Sequence, residues 1–225
     1  MNLLTGDDLA AIWLSVRVAG VATFAVLPIA LAVAHLLARR RFPGRALLDA
    51  LTHLPLVLPP VATGYLLLVL FGRQGPIGAL LARVGIVLAF HWTGAALAAG
   101  VMAFPLVVRP IRLSIEAIDR EVEDAALTLG ASPVARFLRV TLPLAAPGVI
   151  AGAVLGFARA LGEFGATITF VAAIPGETLT LPSAIYLATQ SPDGETRALV
   201  LCAVSLVIAF TAILAGEAIG RRTRR

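Results

Sequence analysis

Glu123-Asp124-Ala125-Ala126-Leu127-Thr128-Leu129-Gly130, followed by Val140-Thr141-Leu142-Pro143, is a polar stretch enclosed by long apolar runs. From Arg109 to Thr141 the acids Glu116, Asp119, Glu121, Glu123 and Asp124 alternate with Arg112, Arg120, Arg136 and Arg139. Ala117, Ile118, Val122, Ala125, Ala126 and Leu129 recur at helical spacing, which predicts an amphipathic helix. Gly130 suits the left-handed residue that ends a helix. Ser132 suits the cap of a second helix, with Pro133 in its first turn. The segment reads as helix, glycine turn, helix. On its own, this pattern fits either a solvated surface helix or a docking element in which small Ala125 and Ala126 permit close approach.

The surroundings of this segment set the fold class. Of 225 residues, 59% are hydrophobic and the mean hydropathy is +0.95. Soluble domains sit near about 45–50% apolar. Apolar stretches at 11–38, 54–72, 84–108, 144–172 and 198–219 come close to or exceed the roughly 20 residues that a bilayer requires. The expectation is an all-α integral membrane protein with about five transmembrane helices. It forms one domain over 11–219, with a loop at 109–143 and a basic tail at 220–225. Pro55, Pro59 and Pro60 interrupt the second stretch. Either His53 to Pro60 is a kink or non-helical lead-in, or the helix begins after Pro60. Thr180 to Thr189 is expected to form a short helix with Pro182 near its start, and Ser191-Pro192-Asp193-Gly194 the turn after it.

Arginine distribution gives an orientation. Arg39, Arg40, Arg41 and Arg45 follow the first span. Arg109, Arg112, Arg120, Arg136 and Arg139 lie between the third and fourth, and Arg221, Arg222, Arg224 and Arg225 end the chain. All of these fall on one side of a five-span chain, whereas the other side holds only Arg73, Arg83 and Arg197. The rich side is expected in the cytoplasm, with the N-terminus outside. A further short span would reverse this parity.

Several function classes are excluded or weakened. All 18 basic residues are Arg, so no P-loop lysine exists and any phosphate-cleaving engine must lie in a partner. The net charge of +5 follows from arginines flanking apolar runs, not from a basic face, so no nucleic-acid partner is expected. Cys202 has no partner for an internal disulfide, and His35, His53 and His91 lack close metal-ligand spacing; no metal site is expected. No cleavable signal peptide is expected, because Asp7 and Asp8 stand where a basic region should be. No catalytic set is expected. Apart from Glu217 near the end, Glu163 is the only acid well inside a span, which argues against an intramembrane enzyme.

Within the fourth span, Gly148, Gly152 and Gly156 form a ridge that lets helices approach closely. Arg159, Glu163 and Thr167 lie on or beside it. A charge at membrane depth requires a partner or water. Arg159 and Glu163 are four apart and can pair; Arg17 of the first span is a rival partner. The cluster either faces a translocation path or locks two helices together, and the sequence leaves both readings open.

The polar loop resembles the coupling loop of ABC-importer permeases, whose pattern is Glu-Ala-Ala, three residues, Gly, nine residues, Ile-x-Leu-Pro. Here Asp124-Ala125-Ala126, Gly130 and Val140-Thr141-Leu142-Pro143 fill it. Asp124 takes the place of Glu and Glu123 precedes it, so either acid can make the expected polar contact. Further stretches resemble the molybdate/sulfate permease family of type I importers, most closely its molybdate members. These are Phe157 to Phe170 (Phe-Ala-Arg-Ala-Leu-Gly-Glu-Phe-Gly-Ala-Thr-Ile-Thr-Phe), Ile174 to Thr178, Leu181 to Tyr186, and His53 to Pro60 with Gly64-Tyr65. Sulfate permeases share the Arg-Ala-Leu-Gly-Glu core but diverge after Gly165.

The resemblance implies a multi-pass subunit of a prokaryotic cytoplasmic (inner) membrane. Two copies would enclose one path through the lipid bilayer. Two ABC ATPase subunits would dock at Glu123, Asp124, Ala125, Ala126, Gly130, Ala131, Pro133 and Arg136. An external molybdate-binding protein would deliver the anion. ATP and Mg would be used by the ATPase, with no cofactor bound by this chain. Arg17, Arg159, Glu163 and Thr167 would belong to the path or to a structural ion pair. A sulfate or tungstate importer is the alternative cargo, and a passive anion channel is a further alternative.

Overall fold

Helices account for the regular structure of the computed structural model, which describes residues 4–223; no strand occurs among the described residues. They are α1 (Gly6–Arg39), α2 (Arg45–Val57), α3 (Pro60–Phe71), α4 (Pro76–Ala82), α5 (Trp92–Glu116), α6 (Arg120–Thr128), α7 (Pro133–Arg136), α8 (Leu142–Leu161), α9 (Gly165–Val171), α10 (Leu181–Thr189) and α11 (Glu195–Thr223). A π-helical turn, Phe137–Thr141, joins α7 to α8. Arg224 and Arg225 of the expected basic tail, and the side chains of Arg221 and Arg222, lie outside the described residues.

Among the described residues, four helical stretches are long and apolar enough to cross a membrane: Gly6–Arg39, Trp92–Glu116, Pro133–Leu161 and Glu195–Gly220. A fifth exists if α2 and α3 count together, and these are bent by 114°. The bend has a local cause. Pro59 lacks an N–H, and its ring disfavours a helical Leu58, so the helix that tolerates Pro55 stops at Val57. Pro60 then opens α3, whose 12 residues rise only about 18 Å, less than a bilayer core. The second stretch is therefore a broken element and not one straight span over 54–72.

Two other stretches differ from their apolar limits. The third is helical only from Trp92 and continues to Glu116, beyond the expected loop start at 109. The fourth breaks at Gly162, Glu163 and Phe164, leaving α9 as a separate seven-residue helix. Hydropathy registers composition, whereas these ends are set by capping. The His91 side chain caps α5 by accepting from Thr93 N–H. The Glu163 carboxylate accepts from Ala166 N–H at 2.8 Å and so starts α9.

α5 is the central helix. Ala95, Ala98, Ala99, Met102, Ala103, Val107, Val108, Ile111 and Ile115 are fully buried against α1 and α8. The Gly148–Gly152–Gly156 ridge makes this contact possible. A methyl added at Gly152 would stand 2.8 Å from the Val107 carbonyl oxygen, and one at Gly156 would strike the Val107 side chain. By contrast Trp13, Phe24, Val57, Leu206 and Phe210 are exposed. A large apolar exterior is what a lipid-facing surface requires. At one end, Thr5 and Asp8 close a capping box on α1. Asp8, wholly buried, also takes both Nε and Nη2 of Arg197 at 2.6–3.2 Å, which fastens α1 to the start of α11.

Candidate functional site

The polar segment folds as a small helical bracket between α5 and α8. The Asp119 side chain caps α6 by accepting from Glu121 N–H at 3.0 Å. Gly130, at φ +87°, ends it. Ala131 N–H donates to the Ala126 carbonyl at 3.0 Å, and Gly130 N–H to the Leu127 carbonyl at 2.9 Å. Ser132 accepts from Ala135 N–H and caps α7, with Pro133 in its first turn. The amphipathic pattern is split, because Ala117 and Ile118 belong to the turn after α5 and α6 begins at Arg120.

The face that α6 buries is the opposite of what its apolar pattern suggests. Glu123 is its one buried residue among those described, whereas Val122, Leu127 and especially Leu129, 89% exposed, face outward. Glu123 Oε2 lies 2.8 Å from Arg39 Nε, off the line of a hydrogen bond, and Oε1 accepts the Thr141 hydroxyl. Arg39 Nη2 also donates to the Ile118 carbonyl at 2.9 Å. The carboxylate is thus committed inside the chain. Glu123, expected with Asp124 as a candidate docking acid, lies inside the fold.

Asp124 and Ala125 are exposed, Ala126 and Ala131 half-buried, and Pro133 exposed. Arg136 is half-buried, and it lines a cavity of about 240 Å³ with His35, Arg39, Arg40, Arg120, Glu123 and Asp124. The outward face of the bracket therefore presents the exposed acids Asp119, Glu121 and Asp124, small alanines and an apolar rim of Leu129, Val134 and Leu138. Sequence reasoning missed that rim. The signal was Leu129 beside the glycine turn, where a helix end leaves side chains uncovered.

The intramembrane cluster is a different arrangement. Arg159 Nη1 stands 2.6 Å from Glu163 Oε2, with the Glu163 side chain 1% and the Arg159 side chain 27% exposed. Glu163 Oε1 is occupied by the α9 cap. The Thr167 hydroxyl donates back to the Phe164 and Glu163 carbonyls, so it is not free to meet an anion. Arg17 does not pair with Glu163; its guanidinium lies 3.8 Å above the Trp92 ring centre. The ridge glycines 148, 152 and 156 are buried against α5. Arg159 retains partial exposure and Arg17 is exposed, so these two arginines, rather than Glu163 or Thr167, are the groups of this cluster open to their surroundings.

The family of inner membrane components of binding-protein-dependent transport systems matches residues 26–225. The chain belongs to this family. The permease is 53% identical over 223 residues to the molybdenum transport system permease protein ModB of Escherichia coli (strain K12), covering 99% of this chain and 97% of that one. It is 51% identical to ModB of Haemophilus influenzae, over 97% and 96% of the two chains. A sulfate transport system permease, CysW of Synechococcus elongatus, is 40% identical over 86% of this chain and 69% of its own length. Among solved structures, an inward-facing MetNI methionine ABC transporter superposes with TM-score 0.75 at 20% identity, covering 96% of each chain. A bacterial alginate ABC transporter gives 0.77 at 17% identity, over 97% and 80%. The permease has the fold of an ABC-transporter membrane subunit, its relatives are transport-system permeases, and it is a multi-pass membrane protein.

Proposed function

We propose that the permease forms the translocation path of an ATP-driven molybdate importer. The observation that carries the ATPase part is the bracket. A seated helix leaves Asp124, Ala125 and Leu129 exposed, and apolar side chains on a polar helix favour a protein partner over water. Two copies of the chain enclose one path, and two ATPase subunits dock under the α6 brackets. The ATPases use ATP and Mg; this chain supplies neither chemistry. ATP-driven closure of the ATPase pair pulls the brackets and opens the path outward, where an external molybdate-binding protein delivers its cargo. The arginine asymmetry supports the orientation, with residues 109–143 in the cytoplasm of a prokaryotic cell and the N-terminus outside.

Molybdate as cargo is supported by the extent and identity of the similarity to the two molybdenum permeases. Sulfate is the second reading, supported by the 40% identity to a sulfate permease. Uptake into vesicles carrying the permease, its ATPase and the binding protein tests both. The expected result is ATP-dependent molybdate uptake that excess sulfate does not abolish. Sulfate uptake at the same rate would favour the second reading.

A further inference from the structure

Glu123 sits where three membrane helices meet the docking bracket. Arg39 ends α1, Ile118 lies in the turn that leaves α5, and Thr141 closes the π-helical turn that leads into α8. Arg39 holds Glu123 Oε2 at 2.8 Å and the Ile118 carbonyl at 2.9 Å, while Thr141 donates to Oε1. One carboxylate therefore joins α6 to α1 and α8, and through Arg39 to the end of α5. It is 4% exposed, and Thr141 is fully buried. A docking acid must be reachable, and a carboxylate held at both oxygens from within is not. Asp124, the next residue, is exposed.

We propose that Glu123 is a positioning residue. With Arg39 and Thr141 it forms the link through which movement of α6 reaches α1 and α8, and Asp124 is the acid that meets the ATPase. The inference rests on an ATPase docking at α6. Charge-assisted contacts out of water hold their geometry more firmly than surface pairs. With the link intact, displacement of α6 must move α1 and α8. With it broken, α6 keeps its end turns and its packing on α7 and the π-helical turn but loses its side-chain tie to α1, and its movement is transmitted less completely. The π-helical turn beside Thr141 lies where the moved segment enters α8, and such turns recur at functional sites.

The test uses the whole importer, reconstituted in vesicles with its ATPase and binding protein. It reads ATPase retained on the tagged permease and molybdate imported per ATP hydrolysed. Glu123→Gln and Thr141→Val are expected to retain the ATPase while import per ATP falls about tenfold, the scale of one lost charge-assisted hydrogen bond. Asp124→Ala is expected to release the ATPase. Glu123→Gln releasing the ATPase as Asp124→Ala does would overturn the proposal. So would wild-type import per ATP in both link variants. Should Glu123→Gln fail to assemble, Thr141→Val, which removes one hydroxyl and leaves the ion pair, decides alone. Absence of ATPase from the wild-type permease would instead defeat the docking reading.

Discussion

Gly130 holds φ +87° at the end of α6, with open space around it. A side chain there meets no neighbour, so the cost of substitution is backbone strain alone, about 1–2 kcal/mol for a left-handed L-residue. Gly130→Val is therefore expected to insert normally and to tilt the docking face. ATPase turnover should continue without matching uptake, measured as molybdate imported per ATP; normal coupling would remove Gly130 from the docking geometry. Glu163 separates the two readings of the intramembrane pair. Its carboxylate caps α9 and pairs with Arg159. Glu163→Ala should cost about 2–3 kcal/mol, discounted from the full buried-pair penalty because Arg159 is partly exposed. The expected readout is a lower unfolding temperature in detergent, with lower uptake tracking lost protein. Reduced uptake at unchanged stability would show that Glu163 acts on the path itself.

At the scale of elements, the contact between α5 and α8 depends on residues too small to fill space. Gly152→Leu would force a side chain into the Val107 carbonyl and Ile111. Overpacking of this kind costs about 1–3 kcal/mol, so the unfolding temperature should fall; an unchanged value would mean that α8 can slide away from α5. The glycine spacing made a close helix contact legible from sequence, though not its partner α5, and the turn at Gly130 and the cap at Ser132 were legible as well. The 162–164 break in the fourth stretch was not legible, since hydropathy continues through it and only the capping geometry of Glu163 creates it. The inward turn of Glu123 was hidden for a related reason. A pattern of Ala, Val and Leu gives the apolar side of a helix, but the side that packs is chosen by Arg39 and Thr141, which are distant in the chain. Pro59 and Pro60 located the 114° bend only approximately, because Pro55 beside them is accommodated within α2.

At the scale of the molecule, the ends of the fold are held by charge. Asp8→Asn would leave Arg197 without its counter-ion. Because the Arg197 side chain is 38% exposed, water offsets part of that loss, and about 1–2 kcal/mol is expected, read as a lower unfolding temperature. Orientation is testable without transport. In a Cys202→Ser background, Asp119→Cys should react with an impermeant thiol reagent only from the cytoplasmic side and Asp193→Cys only from outside. The reverse pattern would contradict the arginine argument. Uptake of labelled molybdate into reconstituted vesicles tests whether this chain is a path driven by a separate ATPase. Uptake is expected only when the permease, the ATPase with ATP and Mg, and the binding protein are all present. Molybdate flux through the permease alone, without ATP, would contradict it.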